Sequence, residues 1–198
     1  MYKKAEAGIG TLILFIALIL VAAVAAGVLI QTSSSLQSKA LATGSKAQTQ
    51  VSTQIQFNSV WGEDGSDGSI EVIYAELKLA PGSDPVKLND TLIEFVLNDA
   101  ASNLANNGTH GQCSAATVGA LTDPSNLTFA TEYVVQGNYY RADYFQSGDV
   151  ILICFASPRV MNEDEEFRMM IIPKTGGLSQ IEGSTPDVMA TYKIDLFP

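Results

Sequence analysis

The sequence predicts an α+β protein, one long N-terminal hydrophobic α-helix followed by an antiparallel β-sandwich head of immunoglobulin-like plan. Three observations carry this reading. Residues 12–30, LILFIALILVAAVAAGVLI, run for nineteen positions without a charge or a strong hydrogen-bonding side chain. The following stretch, as far as Phe57, contains no proline and keeps apolar residues at Leu36, Ala40, Leu41, Ala47, Val51 and Ile55, spacings that continue a helical stripe. Beyond Phe57 the apolar pattern changes to period two, with turn-forming residues between the segments. A chain of 198 residues has room for one ordinary domain plus such an extension.

The helix is expected from Ala5 or Ala7 to near Phe57, on the order of 75 Å at about 1.5 Å per residue. Its apolar run nearly spans a bilayer core of roughly 30 Å. Lys3 and Lys4 precede it, a basic flank that keeps the N-terminus in the cytoplasm and sends the remainder outward. A secretory signal has a shorter apolar core, of about 7 to 15 residues, that ends at a small-x-small cleavage site. This run is longer and continues as helix. Being apolar all round, it needs lipid or copies of itself as surroundings. Leu12, Ile13, Phe15, Ile16, Ile19, Val21, Val24, Val28 and Leu29 are the expected core of an assembly helix. Ala17, Ala22, Ala23, Ala25, Ala26 and Gly27 interleave with them, so parallel helices can approach closely. Periodicity alone also admits a plain single-pass anchor.

In the head, Ile73, Ala75, Leu77 and Leu79 alternate with Val72, Tyr74, Glu76 and Lys78, as a half-buried strand should. Val188, Ala190, Tyr192, Ile194 and Leu196 alternate in the same way near the end. Further strands are expected over 86–97, 127–135, 149–156 and 166–172. Turns fall at Pro81–Pro85 and Lys174–Gly177. Several such strands with polar turns suggest a sandwich.

Charge narrows the function. From residue 58 onward seven basic residues face twenty acidic ones, a net of −13. Without a basic stripe to neutralise phosphates, nucleic acid is excluded as a partner. Catalysis has a thin inventory: His110 is the single histidine, in Gly- and Asn-rich sequence, and neither a nucleophile elbow nor a P-loop is present. No cofactor is expected. The carboxylates of 63–67 and 163–166 have the chemistry for a hard cation, but neither stretch has the alternating ligand loop of a calcium site, and a solvated turn is the plainer account. Cys113 and Cys154 lie without a neighbouring His or Cys cluster, so zinc is not expected; either one disulfide or two buried thiols fits them. Asn89-Asp90-Thr91, Asn107-Gly108-Thr109 and Asn126-Leu127-Thr128 are N-glycosylation sequons. Asn107, in what reads as a Gly-rich loop, is the best placed, whereas Asn89 reads as part of a strand.

The stretch Lys3-Lys4-Ala5-Glu6-Ala7-Gly8-Ile9-Gly10-Thr11-Leu12-Ile13, continued by LFIALILVAAVAAGVLIQTSSSLQSKALATG, closely resembles the start of archaellins, the archaeal flagellins, over about Ala5 to Gly44. Residues 148–155, 172–176, Thr185-Pro186 and 194–198 resemble head elements of that family. The resemblance implies a type IV pilin-like precursor cut by a prepilin-type membrane peptidase. Aligned on Gly8 to Thr11, the cut falls between Ala5 and Glu6; a cut after Lys4 stays open, because the glycine that usually precedes the bond is not there. The implied division is a leader at 1–5, an assembly helix at 6–57 and the head at 58–198. The resemblance also implies a homopolymeric motility filament outside the cell, an assembly ATPase and a membrane platform as partners, and a membrane-held precursor. An adhesive pilus subunit, or an anchored extracellular binding domain that never polymerises, are the alternatives.

Overall fold

The structure, a computed structural model, describes residues 2–63, 67–110, 113 and 127–197, and for 2–7, 107, 109 and 110 the backbone alone. Two compact units divide the chain, Met1–Ala47 and Gln48–Pro198. Helix α1, Tyr2–Ser52, is a single α-helix of 51 residues. Its first 46 residues make up the first unit; its last turn belongs to the second.

The helix stops at Ser52, five residues short of the expected end near Phe57. Tertiary hydrogen bonds capture the backbone there. The Thr53 carbonyl accepts the Gly177 N–H at 2.8 Å, its hydroxyl accepts the Asp84 N–H at 3.1 Å, and the Gln54 N–H reaches Ser83 Oγ at 3.2 Å. Gly176 passes so close that a Cβ on it would lie 3.0 Å from Thr53, and its φ of +118° suits glycine alone. Ile55, Gln56 and Phe57 therefore open a strand instead of closing the helix.

The second unit contains β1 (Ile55–Glu63), β2 (Ile70–Leu79), β3 (Val86–Lys87), β4 (Thr91–Leu97), β5 (Ala101–His110), β6 (Thr128–Val135), β7 (Tyr144–Phe145), β8 (Val150–Met161), β9 (Glu166–Pro173), β10 (Ser179–Ser184) and β11 (Lys193–Phe197). Nine of them form one sheet in the order β10-β9-β4-β5-β6-β8-β2-β1-β11, and β3 pairs with β7 separately. Every pairing is antiparallel except β5 with β6. The sheet folds over itself. Phe95 on β4 and Phe155 on β8 stand three strands apart in the order, yet their rings meet edge-on at 5.4 Å. At the far side, Ser179 on β10 donates to the Ile55 carbonyl on β1 at 2.5 Å. The result is a two-layered head whose core holds Ile73, Ile93, Phe95, Phe129, Phe155 and Met169, none with measurable exposure. A smaller cluster of Val72, Tyr74, Ala130 and Cys154, with Trp61, Cys113 and Leu152 against it, occupies the opposite face of the β8-β2 layer.

Several boundaries differ from the sequence reading. The strand expected over 86–97 is two strands joined by a 3-10 turn, Leu88–Asp90, because Leu88 is drawn into the core and Thr91 Oγ1 bonds back to the Lys87 carbonyl at 3.1 Å. The strand expected from Val188 begins only at Lys193. Met189 is buried and its N–H donates to Glu163 Oε1 at 3.0 Å, which takes that stretch away from strand pairing. β5 and β10 are strands where the sequence pattern predicts none, since each offers few large apolar residues to mark its period.

Candidate assembly surface

The helix presents an apolar surface that the chain itself does not cover. Leu12, Ile13, Phe15, Ile16, Ile19, Val21, Val24, Val28 and Leu29 are all exposed, from 50% at Ile16 to 69% at Val21 and Val24. One helix in the described chain, within Gly8–Ser52, is long and apolar enough to cross a membrane. Three of its hydroxyls are turned back on the backbone, Thr11 Oγ1 donating to the Gly8 carbonyl at 2.9 Å, Thr32 Oγ1 to Leu29 at 3.0 Å and Ser38 Oγ to Ser35 at 3.0 Å. Such bonds let the surface enter an apolar environment without an orphaned donor. A Cβ at Gly8, Gly10, Gly27 or Gly44 would meet nothing within 4 Å. Glycine in a helix interior costs up to about 1 kcal/mol relative to alanine, and packing within this chain does not require it at these positions. The backbones of Ala5 and Glu6, where the leader cut is expected, lie within α1.

The expected sites of the head are scattered. Asn89 sits in the 3-10 turn, not in a strand. Asn107 lies on β5 in the irregular register between Asn106 and His110, and His110 ends the same strand. Asn126 falls outside the described residues. Cys113 and Cys154 are brought together, with Sγ atoms 2.18 Å and Cα atoms 5.8 Å apart, and the Cys113 N–H donates to Glu132 Oε2 at 2.9 Å. Gly68 lies close to Glu163, and Ile70 pairs with Met161. Among the described residues no three His, Cys, Asp or Glu side chains group as a metal site would.

The acidic run 163–166 proves to be a structural knot, which the sequence reading missed. Glu165 is buried and accepts from Arg159, which also reaches Asp99, while the Asn162 N–H donates to Glu165 Oε2 at 3.0 Å. Thr185 Oγ1 accepts the Glu165 N–H at 2.8 Å and donates to the Asn162 carbonyl at 2.6 Å. Hydrogen bonds from Arg159 hold the Glu165 carboxyl below the usual carboxylate range, against the opposing effect of burial. Arg159, six residues before Glu165, was the signal available in the sequence. On the other face, Trp61 stacks on Tyr74 at 5.6 Å with Lys193 Nζ 4.0 Å over its ring. Burial, and then the charge of Glu63, pushes the Tyr74 hydroxyl well above its ordinary value.

The family model for archaeal-type flagellin matches residues 5–182. The chain belongs to the archaeal-type flagellin family. Like other archaeal-type flagellins it pairs one long apolar helix with a β-rich head. It is 32% identical over 199 residues to flagellin A1 of Haloferax volcanii, a match covering 98% of this chain and 83% of that protein. It is 43% identical over 122 residues to flagellin B2 of Halobacterium salinarum, where the match covers 60% of this chain and only 62% of the relative's length. Its fold is similar to that of the archaeal flagellum protein of Methanospirillum hungatei, with a TM-score of 0.66 at 15% identity, over 96% of this chain and 99% of that one.

Proposed function

We propose that this archaeal-type flagellin is the structural subunit of an extracellular motility filament and has no catalytic role. The carrying observation is the run 12–30, whose large side chains stay half or more exposed in the single chain. Each such side chain gains roughly 1.5 to 3 kcal/mol on leaving water, so the run cannot remain in solvent. Lipid satisfies it in the precursor. Sister helices satisfy it in the filament, through close packing around small residues. The prepilin-type peptidase cuts between Ala5 and Glu6 and removes the two lysines that hold the leader at the cytoplasmic face. Glu6 then stands in the first turn, where a carboxylate is favoured by the positive end of the helix dipole. An ATPase and a membrane platform drive assembly and rotation. Outside the cell one disulfide joins Cys113 and Cys154, and Asn89, Asn107 and Asn126 carry glycans on the filament's surface.

Sheared cell-surface material tests this directly. It should contain filaments whose chain begins at Glu6 by N-terminal sequencing, and a deletion strain should not swim. A processed chain that stays monomeric in the membrane, or unimpaired swimming after deletion, would end the proposal.

A further inference from the structure

We propose that the loop 137–148 is a contact between heads, docking on the acid-rich head surface of a neighbouring copy of this chain in a head-to-tail sense. This rests on the filament reading above. The loop carries Tyr139, 80% exposed, and Tyr140, 41% exposed, beside Val134 and Val135 at the end of β6, 54% and 49% exposed. Arg141 is exposed with them. Tyrosine and arginine are among the residues that most often anchor protein contacts.

The loop is held in one shape from beneath. Asp149, 1% exposed, accepts the Gly137 N–H at 2.7 Å and the Gln146 N–H at 3.0 Å, one on each carboxylate oxygen. A Cβ at Gly137 would lie 3.0 Å from the Gly148 backbone and 3.2 Å from Asp149 Oδ1, so the close approach of the loop's two ends favours glycine there. The Tyr133 hydroxyl donates to the Tyr144 carbonyl at 2.9 Å, and its ring meets Tyr140 edge-on at 4.9 Å. The Arg141 guanidinium rests 4.4 Å above the Tyr144 ring, and the Asp143 carbonyl accepts the Leu88 N–H at 2.9 Å. With its ordering already met inside the chain, the loop loses little further entropy on docking.

Charge chooses the occupant. Lys87 stands opposite Tyr144 in the β3–β7 ladder, and Lys174 Nζ lies 3.3 Å from Asp90. The segments 86–90 and 136–149, together with Lys174, hold Lys87, Arg141 and Lys174 against Asp90, Asp143 and Asp149, three charges of each sign. This corner is neutral, so the net −13 from residue 58 onward falls entirely on the rest of the head. Identical acidic heads repel one another over most of their surfaces, but a neutral aromatic corner meets an acidic one without that repulsion. A patch that matches a different patch on the next copy does not close on itself unless the rotation permits it, and otherwise propagates as a helix.

The test is a Tyr139→Ser, Arg141→Glu double variant of the full chain, expressed in cells lacking the wild-type copy. Recovered sheared filament should fall about tenfold, and the remaining filaments should dissociate at lower temperature. The amount of processed chain and its Cys113–Cys154 bridge, seen on non-reducing gels, report folding. If the double variant does not accumulate, Tyr139→Ser alone, at the most exposed position of the loop, gives the decisive reading. Variant filaments with wild-type yield and heat resistance would overturn the contact, as would normal filaments that lose only attachment to surfaces. Absence of filaments from the wild-type strain would instead count against the filament reading itself.

Discussion

Residues 12–30 and the interior of the head are made from the same apolar side chains, yet one set is exposed and the other sealed. Phe15 is 66% exposed and Phe95 is not exposed at all. Phe95 meets Phe155 and Phe167 in its own chain, at ring-centroid distances of 5.4 and 6.0 Å. The contrast teaches that the chain contains two hydrophobic problems with different solutions. The head solves its own by folding. The helix leaves its own exposed in the single chain, so equivalent substitutions in the two regions should fail in different assays.

The largest effect is expected from Ile19→Asp. A charge at the centre of a membrane helix costs about 2.5 to 3.5 kcal/mol, and every copy would carry it. Filaments should vanish from sheared material while the melting of the head is unchanged. A coupled loss of head stability would break the comparison. Phe95→Ala should act in reverse, destabilising the head by about 3 to 5 kcal/mol in denaturant titration through the cavity it leaves. Next comes Glu165→Gln, with a loss of about 2 kcal/mol near neutral pH as the hydrogen-bonded carboxylate disappears. Because Arg159 lowers the folded-state pKa of Glu165, its contribution is fully present above the unfolded value of about 4.3 and is lost as pH falls through the lower folded value. Acid titration of the head should therefore be steeper in the wild type than in the glutamine variant. Gly27→Ala is the smallest and sharpest probe. Alanine should raise helix stability by up to about 1 kcal/mol in the single chain, where a Cβ meets nothing, and circular dichroism in detergent reads that gain. If sister helices pack against Gly27, the same methyl lowers the dissociation temperature of filaments.

The helix was legible because nineteen uninterrupted apolar residues have few alternatives, and because the KKAEAGIGTLI block has little ambiguity. β2, β8 and β9 were legible because each carries large apolar residues to mark its strand. β5, ASNLANNGTH, was not legible. Its inward positions include Ser102 and Leu104, and its Asn and Gly residues imitate a loop, so the pairings of Phe95 with Ser102 and Ala105 with Thr128 supply what its composition lacks. The 137–148 loop was equally hidden, since nothing local says that Asp149 will be buried beneath it. The Arg159–Glu165 knot was hidden by the acidic residues around it, which read as a solvated turn.

Sequence alone determined that this chain has one long apolar helix and an acidic β-rich head. Those properties follow from local period, run length and charge, which are written residue by residue. Tertiary structure decided where the helix stops, how nine strands close over one core, which carboxylates are buried and which aromatics are held outward. The first two of those depend on partners far apart in the chain, such as Thr53 with Gly177 or Ile55 with Ser179, whose meeting is settled only when the sheet folds over.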